Sequence, residues 1–153
     1  MTTPPEFPAE QPAATPSELA DWGTRALGFL IDALPVLILA AVTAFSRTLT
    51  YFVALLNFAY FYFYLGNLDG TAGQTPGKRV MGLRLVNQEG NVIGSGAGIA
   101  RKFAHIIDSL VCFVGWFLPL FDDRRQTIAD KMLTTYVVTG VEKQPFSFQI
   151  YMP

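Results

Sequence analysis

The stretch Thr48–Leu68, TLTYFVALLNFAYFYFYLGNL, runs for 21 residues without a charged side chain. As a helix it is long enough to cross a hydrocarbon core of about 30 Å. Two further stretches resemble it. Ala26 to Ser46 is 21 residues interrupted only by Asp32, and Phe103 to Phe121 is 19 residues interrupted by His105 and Asp108. Soluble surface helices keep a polar face, and these segments have none. Charged residues make up only 15% of the chain, against 51% hydrophobic ones. A soluble domain carries about 25% charged residues. The expected fold is therefore an all-α integral membrane protein: two transmembrane helices and a third apolar segment, either spanning or re-entrant.

Outside these segments the chain divides into recognisable pieces. Residues 1–16 hold Pro4, Pro5, Pro8, Pro12 and Pro16 with little to pack, and read as a disordered tail. No secretory signal is visible, because no basic residue precedes Arg25. Thr15-Pro16-Ser17-Glu18 has the form of a capping box with proline at the first helical position. A helix is expected to start there, with Leu19 and Trp22 at the interface. The membrane domain then covers 17–140, and 141–153 forms a C-terminal tail. The aromatic run Phe58–Tyr64 reads as a belt at the membrane surface. The glycine-rich stretch 67–98 reads as a loop with short strands. Leu83-Arg84-Leu85-Val86 and Asn91-Val92-Ile93 flank a turn and suggest a hairpin. Thr135-Tyr136-Val137-Val138 is a third strand candidate for a small sheet at the membrane surface. Gln126–Leu133 reads as a short amphipathic helix, and Asp122-Asp123-Arg124-Arg125 as a solvated edge.

The basic residues bear on the path of the third segment. If all three segments cross once, Arg25, Lys78, Arg79, Arg84, Arg101 and Lys102 face Arg47, Arg124, Arg125, Lys131 and Lys143 across the membrane. That gives no bias, although cytoplasmic loops normally carry an excess of Lys and Arg. If the third segment enters and leaves on one face, broken at Gly115 or Pro119, only Arg47 lies apart. Most basic loops are then cytoplasmic, and the strand around Val137 can meet the strand around Leu85. A re-entrant segment needs shelter from protein, which a homo-oligomer would supply.

The composition excludes several functions. A net charge of -1 lacks the basic bias of a nucleic-acid binder. One cysteine, Cys112, and one histidine cannot assemble a Cys/His zinc site. Gly73-Gln74-Thr75-Pro76-Gly77-Lys78-Arg79 fails as a phosphate loop. Its glycines are one residue too close, and Arg79 replaces the Ser/Thr that binds magnesium. No nucleophile–base pair is evident, so neither an enzyme nor a cofactor is expected.

The chemistry lies in the charges within the apolar segments, which are costly there. Arg25 and Asp32 are seven residues apart, about 20° apart on one helix face. Gly28 lies between them and permits close helix approach. Pro35 removes an amide and frees the carbonyl of Ile31, leaving a carboxylate beside an unpaired carbonyl. Arg101, His105 and Asp108 form a polar stripe at i, i+4 and i+7, which Cys112 continues.

Together these residues resemble the RDD family of small bacterial membrane proteins, named for one arginine and two aspartates. Arg25 and Asp32 match the arginine and first aspartate of the family's first membrane helix. Gly73, Thr75, Gly77, Lys78 and Gly82 match its loop motif. Arg125-Gln126-Thr127-Ile128-Ala129-Asp130, followed by the strand Tyr136-Val137-Val138, matches its second aspartate. The resemblance covers roughly Asp21 to Gly140. One departure is Thr134, where the family usually has glycine. The resemblance implies ligand transport, with sodium/proton exchange in some members, and a site at Arg25, Asp32 and Asp130. Two readings follow. The first is a carrier of a small ligand, or an exchanger of Na+ and H+, in which Asp130 pairs with Arg25. The second is a non-catalytic accessory subunit of a membrane complex. The bilayer is a partner in both, and the plasma membrane is the expected location.

Overall fold

A computed structural model describes residues 19–111 and 113–152. The capping box, the proline-rich tail and Cys112 lie outside the described residues. Helix α1 is Trp22–Thr43 and α2 is Arg47–Phe58. A π turn, Ala59–Tyr64, joins α2 to α3, Leu65–Thr71, so that Arg47–Thr71 is one unbroken 25-residue helix. Then follow α4 (Pro76–Met81), β1 (Arg84–Val86), α5 (Ser95–Leu110), α6 (Val114–Phe117), α7 (Ile128–Leu133) and β2 (Tyr136–Val138). Helix α1 and the helix Arg47–Thr71 are each long and apolar enough to cross a membrane. Helices α5 and α6 form a third candidate, bent by 107°.

The first membrane helix starts later than expected. Leu19 bridges Val138, and the amide of Ala20 donates to the carbonyl of Val137 at 2.8 Å. The backbone here is committed to the sheet and cannot be helical. Asp21 caps α1 instead, its carboxylate accepting from the amide of Thr24 at 2.9 Å.

The hairpin is also replaced. The turn itself forms: the Asn87 amide donates to the Asn91 carbonyl at 2.8 Å, and Gly90 takes φ 84. Its second arm, however, is drawn away to the membrane helices, where the Gly94 amide donates to Gly70. β1 pairs instead with β2, antiparallel, in the register Leu85↔Val137. Leu83, Leu85, Val137 and Ala20 bury one another there. β1 precedes the third apolar segment and β2 follows it, so the two ends of that segment meet at one sheet. The bend lies between Leu110 and Val114, where Phe113 takes φ 61, and not at Gly115 or Pro119. Gly115 serves a different purpose: a Cβ there would lie 2.1 Å from Asp108 Oδ1.

The stretch 67–98 is less of a loop than its glycines suggest. The second membrane helix continues to Thr71, and α4 forms behind Thr75, whose hydroxyl accepts from the Lys78 amide. Gly66 and Gly70 face α5. A Cβ on Gly70 would meet the Gly94 carbonyl at 2.0 Å, and one on Gly98 the Gly66 carbonyl at 2.2 Å. These glycines set α3 and α5 at backbone contact.

Thr134 caps α7 with φ 52 and ψ 48, the left-handed region. That is the conformation glycine adopts without steric cost. Thr134→Gly should therefore raise stability by about 0.5–1 kcal/mol. Thermal unfolding in detergent checks this, and a lower midpoint would refute the strain.

The distribution of side chains is inverted relative to a soluble protein. Leu110 is 75% exposed, while Asp108 is 0% exposed. The buried face of α5 carries Gly98, Arg101, Lys102, His105 and Asp108. Its outer face carries Ile106, Ile107 and Leu110. The same holds for α1, with Asp32 inside and Leu30, Leu37 and Val42 outside. Apolar residues outside and charges inside are what a helix bundle in lipid requires.

The C-terminal residues fasten onto this bundle. The Tyr151 hydroxyl donates to the Ile31 carbonyl at 2.8 Å, filling the position that Pro35 left open. The carbonyl beside Asp32 is thus capped, not free. Tyr64 in turn donates to the Tyr151 carbonyl at 2.9 Å, and Tyr60 to the Asp32 carbonyl at 3.4 Å. Two hydroxyls of the expected aromatic belt therefore bond within the protein.

Candidate functional site: a charged cavity beneath an apolar surface

Arg25 enters the site from the first turns of α1. One of its guanidinium nitrogens lies 2.5 Å from Asp130 Oδ2, and the other donates to the Arg125 carbonyl. Arg101, from α5, approaches the same carboxylate from the other side, with its Nε at 2.8 Å and a terminal nitrogen at 2.6 Å from Oδ1. Asp130 reaches this position because Thr127 and Asp130 form a reciprocal capping box at the start of α7. The Thr135 hydroxyl donates to Asp130 as well, at 3.1 Å. Burial alone would raise the Asp130 carboxyl, but Arg101 and Arg25 outweigh it and hold it well below the usual carboxylate range.

A second carboxylate, Asp69 on α3, serves three cations. Lys78 hydrogen-bonds it, Lys102 lies 3.3 Å away and Arg101 3.4 Å away. Arg101 therefore bridges Asp69 and Asp130. Burial pushes the Lys78 ammonium down to about 8, against the opposing attraction of Asp69. Between about 8 and 10.5 the folded chain has released a proton that the unfolded chain still holds. This group's contribution to stability therefore rises with pH across that window. A nitrogen-15 NMR titration of Lys78 should show a midpoint close to 8. A midpoint near the unperturbed 10.5 would contradict the site's geometry.

Asp32 stands apart from Arg25, despite sharing its helix face. Its Oδ1 accepts from the Gly77 amide at 2.7 Å. Gly77 is in backbone contact with α1, since a Cβ there would meet the Gly28 carbonyl at 1.8 Å. The loop motif Gly73–Lys78 thus brings a backbone donor to Asp32 and an ammonium to Asp69. The Thr75 hydroxyl bonds Asp32 too. His105 and Asp108 pair at 2.6 Å, and the imidazole stacks on Trp116 at 4.7 Å. The other Asp108 oxygen accepts from the Ile128 amide at 2.9 Å, which positions α7.

These groups surround a cavity of about 210 Å3. Its wall includes Arg25, Lys78, Arg101, Lys102 and Asp32. Trp22, Phe29, Phe61 and Trp116 line it as well. Among the described residues, no group of three or more His, Cys, Asp and Glu side chains is arranged to hold a metal ion.

Arg25, Arg101 and Asp130, read from the sequence as candidates, come together in one network. Asp32 and His105 line the same cavity, and Asp108 lies behind His105. Asp69, Lys78 and Lys102 belong to the site as well; the sequence reading named Lys78 in the loop motif and Lys102 among the basic residues, but not as site residues, and passed over Asp69. Asp69 directly follows the charge-free run, in the Gly66–Gly70 spacing that marks a close helix pair. Extending the helix by one turn would have found it.

The fold and site define a small multi-helix membrane protein with a charge-bearing interior. The RDD family model matches residues 19–134, and the chain belongs to that family. It is 30% identical over 145 residues to the proline-rich antigen of Mycobacterium leprae, covering 74% of this chain and 58% of that protein. A proline-rich antigen homolog of Mycobacterium tuberculosis is 43% identical over 81 residues, 52% of this chain and 34% of its own length. The uncharacterized protein YxaI of Bacillus subtilis is 33% identical over 63 residues, 40% of this chain and 42% of that one. The chain thus spans little more than half the length of the first of these relatives, and about a third of the second. No solved structure matches it.

Proposed function

We propose that this chain carries a small ligand within the membrane and that the charged cavity is the ligand's binding site. The observation behind this reading is the cavity itself, walled by ionised side chains inside a lipid-facing shell. Such side chains are expensive in that setting. The reading is of a carrier and not an enzyme. Exchange of Na+ for H+ at Asp32 is the weaker form of it, because Asp32 is the one carboxylate in the wall and Lys78, Lys102 and Arg101 oppose a cation. The β1–β2 pairing supports a third segment that re-enters on one face, with most of the basic residues, Arg47 apart, on the cytoplasmic side of the plasma membrane. An accessory role in a membrane complex is the second reading. It is favoured by the ion pairing of Arg25, Arg101 and Asp130, which a purely structural core would also display.

The test uses purified protein in liposomes loaded with a pH-sensitive dye. Gradients of sodium, potassium, chloride and phosphate are run separately, and the flipping of headgroup-labelled phosphatidylglycerol is followed in the same vesicles. Ala26 lines the cavity, so Ala26→Phe narrows it without removing a charge. The expected result is movement of one of these species by the wild type and its loss in the variant. Correctly inserted wild type that moves none of them would shift the assignment to the accessory role.

A further inference from the structure

The arithmetic of the network is uneven. Arg25, Lys78, Arg101 and Lys102 are four cations; their ion pairs go to two carboxylates, Asp69 and Asp130, and Asp32 is near enough to attract Lys102 and Lys78 as well. Asp108 is committed elsewhere, one oxygen to the imidazole of His105 and the other to the amide of Ile128. Asp32 has one oxygen on the Gly77 amide. Among the described residues, the cavity wall carries four cationic side chains and one carboxylate, Asp32. Asp69 and Asp130 stand behind the cations, at 0% exposure, and are not part of that wall. Lys102 is the most weakly held of the four. Its ammonium is 3.3 Å from Asp69 and 5.2 Å from the centre of the Phe61 ring.

An apolar surround strengthens every charge–charge interaction inside it. The groups turned toward the cavity are mostly cations, which favours an anion over a cation there. The forks of Arg25 and Arg101 are engaged by Asp130, Asp69 and the Arg125 carbonyl, so they contribute charge, while the ammonium groups of Lys78 and Lys102 keep donors that phosphate oxygens accept. Trp22, Phe29, Phe61 and Trp116 also line the cavity, with the Lys102 ammonium over the Phe61 ring. We propose that the cavity binds a phosphate-bearing anion, held by Lys102 and Lys78 in the field of Arg101 and Arg25, with its less polar part against the aromatic lining. This rests on the cavity being a ligand site, and it assigns the charge class of the ligand. The phosphate has two possible sources, the headgroup of an anionic phospholipid or free phosphate.

The chain contains only two tryptophans, and both line the cavity. Intrinsic fluorescence therefore reports occupancy without a label. The full chain, in a neutral maltoside micelle, is titrated in separate arms with dihexanoyl phosphatidylglycerol, dihexanoyl phosphatidylcholine and inorganic phosphate. The expected result is a saturable change in emission with an anionic arm and none with phosphatidylcholine. Response to phosphatidylglycerol alone assigns a lipid headgroup, and response to inorganic phosphate assigns a free anion. Lys102→Gln should weaken binding about tenfold or more, the loss of one charge-assisted hydrogen bond. Lys102→Arg keeps the charge and should bind like the wild type, which guards against a variant that merely misfolds. A saturable response to phosphatidylcholine as strong as to phosphatidylglycerol would overturn the anionic assignment while leaving the cavity a ligand site. No response in any arm, from protein with a wild-type melt, would overturn both.

Discussion

Asp130→Asn should lower the unfolding free energy by about 3–5 kcal/mol, the cost of breaking a buried ion pair from one side. The reason is local. One carboxylate accepts from Arg25 and, twice, from Arg101; Asp130 and Arg101 are buried and the Arg25 side chain is 13% exposed. An asparagine offers one acceptor oxygen and no charge, so Arg25 loses its counterion and Arg101 keeps only Asp69, 3.4 Å away. The comparison variant is Asp122→Asn. Asp122 pairs with Lys131, whose side chain is 43% exposed, and such a surface pair contributes about 0–1 kcal/mol. Unfolding in detergent, followed by circular dichroism, should show a large drop for the first variant and almost none for the second. Equal losses would mean that the Asp130 network does not form.

The second large effect is an asymmetry between two glycines in contact. Gly77→Ala places a methyl group 1.8 Å from the Gly28 carbonyl, so α1 and α4 must separate. Overpacking of this kind costs about 1–3 kcal/mol or more. Separation also breaks the bond from the Gly77 amide to Asp32. Gly28→Ala places its methyl at 3.5 Å from Gly77, an ordinary contact. Alanine also gains about 1 kcal/mol over glycine within a helix. Melting midpoints should therefore fall for Gly77→Ala and hold or rise for Gly28→Ala. Equal effects would place the helix crossing elsewhere.

The membrane helices were legible because uninterrupted apolar length has a single physical use. Asp32 was legible because a charge within such a segment has to be explained, Arg25 because it shares a helix face with Asp32, and Asp130 through the resemblance to the RDD family. The sheet was only partly legible. The strands around Leu85 and Val137 could be read, but the nearer Asn91–Ile93 competed as a partner. What decides between them is the packing of α3 on α5, which pulls Gly94 onto Gly70, and no local pattern encodes that. The start of α1 was misjudged for a similar reason. A capping signal at Thr15 is a local preference, whereas Leu19 and Ala20 answer to β2, more than a hundred residues away in sequence. Asp69 was missed by stopping a helix at its last apolar residue, although a helix in lipid can end on a charge that faces inward. Thr134 departs from the family's glycine yet keeps the left-handed backbone, so the local turn survives the substitution.

All of this depends on α5 turning its charges inward and its apolar face to lipid. Spin labels placed one at a time at Ile106, Ile107 and Leu110, in a Cys112→Ser background, test that directly in reconstituted bilayers. Oxygen concentrates in the hydrocarbon, and a nickel chelate stays in water. Relaxation at all three positions should respond to oxygen and not to the chelate. A stronger response to the chelate would put this face in water, and the charged interior would then need a different explanation.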